Sequence, residues 1–173
     1  MEKKIIEIYT DGSCRGNGQE NSKGGFGVVV VANEKIEYMC SQDSAPTTNN
    51  REELKAIIHA LELTQTDYKN YNCVIYSDSA YCVNMCKEWI WSWHSRGWLR
   101  AGNKPIENLD LVKQIYNYLT IEFNNFNIVK VKGHNDVLGN EIADALATFD
   151  KAKLAKIFNE HKEKFVDGIK IDF

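Results

Sequence analysis

The 173-residue sequence lacks most of the features that mark multidomain, membrane or secreted proteins. It has only two prolines, and no Ser/Pro-rich linker divides it, so we expect one domain. Its apolar runs are too short to span a bilayer, so we expect no membrane association. The first ten residues pass from charges directly into a strand pattern, which predicts no signal peptide.

The sequence also lacks an excess of basic residues and any metal-binding or disulfide pattern of cysteines. The net charge is −3, so binding to a nucleic acid would require a local basic patch. The five cysteines are odd in number and include no Cys-x-x-Cys pair, so neither a disulfide framework nor a zinc site is favoured. We therefore expect reduced thiols and a cytoplasmic protein.

Hydrophobic periodicity predicts five strands and four helices in the order βββαβααβα. The strands are expected over 4–10, 24–34, 35–42, 72–78 and 126–134, and the helices over 49–64, 79–93, 109–119 and from about 140. Short connections predict that the first three strands form an antiparallel meander. The apolar fourth strand, flanked by helices, is expected to be parallel to the first. This pattern predicts an α/β fold with a mixed five-stranded sheet and helices on both faces.

Two of the predicted strands end in an aspartate. Asp11 closes the first strand before a glycine-rich loop, and Asp78 closes the fourth. Binding sites of open α/β sheets form outside the carboxyl ends of the strands. If strands one and four are adjacent and parallel, these two carboxylates are neighbours.

Two helices add further candidate carboxylates. Glu53 shares a helix face with the apolar stripe of the first helix, whereas Glu52 falls on a more polar face, so Glu53 is expected to point towards the sheet. Asp144 lies among apolar residues of the last helix. An unpaired carboxylate beside a buried face is costly, so Asp144 is expected to have a partner.

Each acidic residue also has a simple structural explanation. Asp78 could cap a helix, Asp11 could belong to a turn, Glu53 could interact with the helix dipole, and Asp144 could be solvated. Four converging carboxylates would repel one another unless cations neutralise them. Mg²⁺ prefers such oxygen ligands, and two ions about 4 Å apart can catalyse phosphodiester hydrolysis.

Five segments together resemble the successive motifs of type 1 ribonuclease H. They are YTDGSCRGNG, TTNNREELKAIIHAL, IYSDSAYCVN, the Trp-rich stretch through RGWLRAGNKPIENLDL, and VKVKGHNDVLGNEIADALA. The resemblance covers about residues 4–149. It implies a ribonuclease H-like catalytic domain over 1–149, with 150–173 as a helical extension that packs on or next to this domain.

The resemblance also implies the activity and the catalytic residues. It implies endonucleolytic cleavage of the RNA strand of RNA–DNA hybrids with two Mg²⁺ ions, for which Mn²⁺ can substitute, leaving 5′-phosphate and 3′-hydroxyl ends. Asp11, Glu53, Asp78 and Asp144 match the metal-binding carboxylates of the family. His134, in the loop before the last helix, matches its catalytic histidine and would assist proton transfer or product release.

The loop after Asp11 suits recognition of ribose. Gly12 permits close approach of a backbone, while Cys14 and Asn17 offer small polar contacts to a 2′-hydroxyl. By resemblance, Asn49 and Asn50 contact the minor groove. Thr48 likewise matches a pocket for a DNA phosphate. Asn49 could alternatively serve as the N-cap of the first helix.

Residues 87–104, KEWIWSWHSRGWLRAGNK, interleave tryptophans with basic residues and resemble the basic protrusion of the family. We name this segment the handle. Arg96, Arg100 and Trp98 are expected to contact the DNA strand. Trp89 and Trp93, four residues apart on a helix, are expected in the core.

Two other functions remain open at this point. A catalytically silent hybrid-binding module would not need four carboxylates, and a related nuclease acting on DNA would not need a loop that reads the 2′-hydroxyl. The expected protein is a monomeric hybrid ribonuclease.

Overall fold

A six-stranded mixed sheet forms the centre of the molecule. The computed structural model describes residues 4–122, 124–131 and 137–172. The strands of this sheet are β1 (Ile5–Arg15), β2 (Lys23–Ala32), β3 (Lys35–Ser44), β4 (Asn72–Ser77), β7 (Phe126–Lys130) and β8 (Phe165–Asp172). A separate two-stranded ribbon consists of β5 (Leu99–Arg100) and β6 (Lys104–Pro105).

Six α-helices accompany the strands in the described part of the chain. They are α1 (Asn49–Gln65), α2 (Ala80–Asn84), α3 (Ile90–Ser95), α4 (Leu109–Leu119), α5 (Leu138–Ala147) and α6 (Lys151–Glu160). None of them is both long and apolar enough to cross a bilayer.

The sheet has the strand order β7-β4-β1-β2-β3-β8. Strands β1, β2 and β3 pair antiparallel, and β4 pairs parallel with both β1 and β7. The predicted meander and the predicted parallel pairing of β1 with β4 are therefore confirmed. The sixth strand, β8, pairs parallel with the edge of β3 and was not predicted.

Helices cover both faces of the sheet, as predicted. The larger core lies between the sheet and α1, α2 and α4, whereas the smaller core lies under α5 and α6. Gly27 in β2 lets α5 approach closely, because a Cβ there would collide with the carbonyl of Ala143 and with Leu146. The two cores fix α1 and α5 over opposite faces of the same central strands.

Several boundaries differ from the sequence prediction, and three of them bear on the site. Strand β1 does not end at Asp11, because residues 12–15 continue to pair with β2. The helix predicted over 79–93 is divided by a π-helical turn, Met85–Trp89. Helix α5 begins two residues before 140, at Leu138.

The segment after α5 returns to the sheet. Helix α6 packs against α5, a short 3₁₀ turn follows, and β8 then pairs with β3. The Nζ of Lys35 donates to the carbonyl of Glu163 and ties this turn to the start of β3. The extension thus covers an edge that β3 would otherwise leave open.

Candidate active site

Parallel pairing of β1 and β4 brings Asp11 and Asp78 together. Thr10 pairs with Ser77 in the last register position between these strands, so the two aspartates are the next residues on each side. Asp11 is buried and Asp78 is half-buried. The predicted neighbourhood of the two carboxylates is therefore present, although β1 itself continues beyond Asp11.

Asp78 is not the cap of the helix that follows it. The N-cap of α2 is Ser79, whose hydroxyl accepts a hydrogen bond from the N–H of Cys82 at 3.2 Å. The hydroxyl of Ser77 accepts the N–H of Ser79. The two serines thus accept the backbone N–H groups of this turn. The carboxylate of Asp78 is left to face the other acidic residues.

Glu53, in the first turns of α1, lies next to Asp11 and Asp78. Gly12 makes this approach possible, because a Cβ at Gly12 would collide with the backbone at Glu52 and Glu53. Ligand oxygens of Asp11, Glu53 and Asp78 all lie within 4.8 Å of one another. We name these three residues the triad.

Burial and mutual repulsion disfavour the ionised forms of the triad carboxylates, and a bound cation would offset both. Burial, together with the charges of Asp78 and Asp144, raises the pKa of Asp11 to about 8. Burial and the charges of Asp11 and Asp78 raise the pKa of Glu53 to about 9. Without a cation, these groups keep their protons at pH values where exposed carboxyls are ionised.

The donor set fits a hard divalent cation. All three side chains offer oxygen, which Mg²⁺ and Mn²⁺ prefer. The buried Oε2 of Glu53 has no hydrogen-bond partner among the described residues. A buried polar atom without a partner is costly, so this oxygen is available to a ligand.

Asp144 borders the triad from the opposite face of the sheet. Its charge raises the pKa of Asp11, but its oxygens lie outside the 4.8 Å group. Asp144 is about one-third exposed, and its Oδ2 lies 2.6 Å from the Nζ of Lys153. The fourth predicted carboxylate thus has a partner, as expected, and that partner is a cation from α6.

His134, the predicted proton-handling residue, lies outside the described residues. Its role stays a prediction. The described chain resumes at residue 137, immediately before α5.

The substrate-contact residues predicted near β1 and α1 form one connected surface. The carbonyl of Thr47 accepts from the thiol of Cys14 and from the hydroxyl of Ser22. The side-chain oxygen of Asn17 accepts the N–H of Asn49 at 2.9 Å. The loop after β1 is therefore held against the N-terminus of α1, although contact with a substrate stays a prediction.

The N-cap of α1 is Thr48, and not Asn49. The hydroxyl of Thr48 accepts the N–H of Arg51 at 3.2 Å. Asn49 and Asn50 are exposed on the first turn, so capping is not their role. Both side chains are free to face a ligand at this helix end.

The handle differs in part from its prediction. Trp93 packs against the larger core, as expected, but Trp89 is 36% exposed, so its assignment to the core is wrong. The π-helical turn ends at Trp89, whose ring centroid lies 6.0 Å from those of Tyr81 and Trp93. Trp98 is half-buried, with a ring edge-to-face against Tyr116.

The two arginines of the handle are exposed. Arg96 lies at the C-terminal end of α3. The Nε of Arg100 donates to the carbonyl of Pro105 and braces the β5–β6 ribbon. Both leave their guanidinium groups at the surface, where phosphates could reach them.

Sequence reasoning missed the burial of Glu52. This side chain is fully buried, not on a polar face, because residues 44–47 cover it. Its carboxylate accepts from the hydroxyls of Thr47 and Ser44 and lies 2.8 Å from the Nζ of Lys55. Only the Glu52–Lys55 spacing was a visible signal, and the covering residues come from tertiary structure.

Comparison with known proteins identifies the family. The family model described as RNase H matches residues 3–151. A protein named Ribonuclease H from Prosthecochloris aestuarii is 45% identical over 148 residues, covering 85% of this chain and 94% of the relative. A Ribonuclease H from Chlorobaculum parvum is 41% identical over 146 residues, covering 84% and 94%.

A solved structure agrees with this assignment. The crystal structure of LC9-RNase H1, a type 1 RNase H with the type 2 active-site motif, is similar with a TM-score of 0.72 and 28% identity. The similarity covers 88% of this chain and 74% of that one. The chain described here belongs to the RNase H family.

Proposed function

We propose that this chain is an endoribonuclease that cleaves the RNA strand of RNA–DNA hybrids by hydrolysis assisted by two divalent cations. The products are RNA fragments with 5′-phosphate and 3′-hydroxyl ends. The observation that carries this proposal is the triad: three buried or half-buried carboxylates within 4.8 Å, one with an unpartnered oxygen, in a chain of this family.

Asp11, Glu53 and Asp78 would hold one ion, and Asp11 with Asp144 would hold the second. Mg²⁺ is the proposed metal, with Mn²⁺ as a substitute. When bound, such ions supply an activated water for in-line attack and stabilise the departing 3′ oxygen. Asp11 is assigned to both ions because it lies within 4.8 Å of Glu53 and Asp78 and because the charge of Asp144 raises its pKa.

The carboxylates themselves must lose protons when they become ligands. The pKa values of Asp11 and Glu53, about 8 and 9, mean that both groups hold protons near neutral pH in the metal-free protein. Metal binding therefore releases protons and is favoured as pH rises. His134 would accept or deliver the proton that hydrolysis moves.

Gly12, Cys14 and Asn17 would hold the RNA strand through its 2′-hydroxyls. The link from Asn17 to Asn49 supports this assignment, because it fixes the loop beside the end of α1. Thr48 would position a DNA phosphate. Asn49 and Asn50 would contact the minor groove.

The exposed side chains Arg96 and Arg100 would grip the DNA backbone, with Trp98 beside them. We further propose a monomer that works in the cytoplasm. The five cysteines are all thiols, four of them buried, which suits a reducing compartment.

A cleavage assay on three end-labelled duplexes tests the proposal. The RNA–DNA hybrid, duplex DNA and duplex RNA have one sequence and are each incubated with Mg²⁺ or with EDTA. We expect cleavage only of the RNA strand in the hybrid, and only with Mg²⁺.

Each alternative function has its own outcome in this assay. Retention of the hybrid in a gel without cleavage would identify a binding module. Cleavage of duplex DNA would identify a DNA nuclease. Hybrid cleavage in EDTA would contradict the role given to the carboxylates.

A further inference from the structure

A lysine from the C-terminal extension reaches the acidic centre. The Nζ of Lys153 in α6 lies 2.6 Å from the Oδ2 of Asp144, and both side chains are about one-third exposed. Lys153 falls just beyond residues 3–151, which match the family model. Lys153 therefore lies outside the span that the family model matches, whereas Asp144 lies inside it.

The turn between α5 and α6 fixes the position of Lys153. Phe149 adopts a left-handed conformation with φ of 56°, which reverses the chain after α5. Asp150 then caps α6, because its side chain accepts the N–H of Lys153 at 2.9 Å. The backbone of Lys153 is thereby held in the first turn of α6, from which its side chain extends back to Asp144.

The ammonium group occupies a ligand oxygen of Asp144. Asp144 lies near enough to Asp11 for its charge to raise the pKa of Asp11, so it connects the triad to Lys153. A divalent cation shared by Asp11 and Asp144 would be repelled by an ammonium group on the same carboxylate. The cation and Lys153 therefore compete for Asp144.

We propose that Lys153 is a positioning residue that holds Asp144 in the metal-free protein and is displaced when the second divalent cation binds. This inference rests on the proposed function, because it takes Asp144 as a ligand of the second ion. Lys153 neutralises part of the acidic centre while no metal is bound. It also weakens the second metal site relative to the triad.

Calorimetric titration with Mn²⁺, without nucleic acid, measures this competition. Lys153→Met removes the charge and keeps an apolar stem. We expect it to tighten binding at the weaker of two sites about twofold to fivefold, the range set by an exposed ion pair, and to leave the stronger site unchanged. Raising the KCl concentration should reduce the difference, since salt screens the competing charge.

Two matched variants complete the experiment. Lys156→Met removes a lysine from the same helix that pairs with Glu160 and not with the acidic centre. It should titrate like the wild type. Lys153→Arg keeps the positive charge and should also retain the weak second site.

Thermal unfolding separates positioning from a purely structural contact. Lys153→Met should melt at a lower temperature than the wild type in EDTA, because Asp144 loses its neutralising partner. Saturating Mn²⁺ should remove that difference, since the metal then replaces the lysine. Melting curves need no substrate and no activity.

Two results would overturn the inference. One is the same Mn²⁺ affinity at both sites in Lys153→Met and the wild type. The other is a melting difference that persists unchanged in saturating Mn²⁺. Hybrid cleavage by the wild type tests the proposed function separately, so the two proposals fail through different measurements.

Discussion

The triad and the handle differ in charge and in exposure: the triad is acidic and largely buried, whereas the arginines of the handle are basic and exposed. The triad places Asp11, Glu53 and Asp78 within 4.8 Å of one another, at positions fixed by strand register and a helix end. The handle presents Arg96 and Arg100 to solvent. The first arrangement is unfavourable without a ligand, whereas the second is not.

This difference leads us to expect that the triad contributes to catalysis and the handle to substrate binding. The buried carboxylates with raised pKa values are expected to act in the chemical step, because a bound cation would relieve their repulsion. The exposed arginines of the handle are expected to contribute affinity, because guanidinium groups attract phosphates. Variants of the two regions should therefore change different kinetic constants.

The largest effect is expected for Asp78→Asn. This change keeps the shape of the side chain but removes a charge that the metal requires, so kcat should fall by many orders of magnitude while the fold survives. The measurement is kcat and KM on one hybrid. Asp67→Asn, an exposed change in the turn after α1, is the control and should behave as the wild type. Near-wild-type cleavage by Asp78→Asn would overturn the site assignment.

His134→Ala should have a smaller effect than the loss of a triad carboxylate. Loss of a proton-transfer group is expected to reduce kcat about 10²-fold to 10⁴-fold with little change in KM. Higher pH should partly compensate if proton removal is the lost step. Complete loss of activity together with loss of stabilisation by Mg²⁺ would show instead that His134 belongs to the metal site.

The adjacent residues Glu52 and Glu53 allow a comparison between a structural carboxylate and a triad carboxylate. Glu52 is buried with partners on both oxygens, whereas Glu53 has an unpartnered oxygen. Glu52→Gln should lower the free energy of unfolding by about 1–3 kcal/mol, because Lys55 loses its carboxylate. Glu53→Gln should abolish cleavage and leave stability in EDTA equal or higher. Urea unfolding and cleavage assays on both variants test this, and the reverse pattern would exchange their roles.

The smallest effect is expected in the handle. Replacing Arg96 and Arg100 by Ala should raise KM several-fold with kcat unchanged, and should reduce the salt dependence of binding by about one counterion per lost phosphate contact. A Lys69→Ala, Lys156→Ala double variant removes the same charge elsewhere and is the control. An unchanged salt slope would mean that the handle does not touch the backbone.

Much of the site could be predicted because its position follows from hydrophobic periodicity and from the residues at strand ends. The apolar fourth strand predicted a parallel neighbour for β1, and that pairing brings Asp11 next to Asp78. The helix period also predicted that Glu53 faces the sheet, where it joins the triad, although it wrongly placed the buried Glu52 on a polar face. These inferences depend on periodicity and strand ends, which are visible in a single sequence.

What could not be predicted depends on distant segments. Glu52 is buried because residues 44–47 fold over it, and no helix period encodes that cover. Lys153 contacts Asp144 across the turn between α5 and α6, in which Phe149 is left-handed. Strand β8 is defined by its pairing with β3, which lies more than a hundred residues earlier in the chain.

The central claim is that the triad is a metal site built from carboxylates that burial keeps protonated. In the folded protein, Asp11 and Glu53 hold protons up to about pH 8 and 9. In the unfolded chain they lose them near pH 4. The folded state therefore binds more protons across this window, and the free energy of unfolding in EDTA should fall as pH rises through it.

The most direct test is urea unfolding of the wild type and Asp78→Asn across this pH window, in EDTA and in Mg²⁺. For the wild type, we expect stability in EDTA to be highest at the acidic end of the window and to decline towards pH 9. Mg²⁺ should restore stability most at the alkaline end, where the ligands are free of protons, and should do so much less in Asp78→Asn. Stability in EDTA that rises with pH, or equal stabilisation of both proteins by Mg²⁺, would contradict the account.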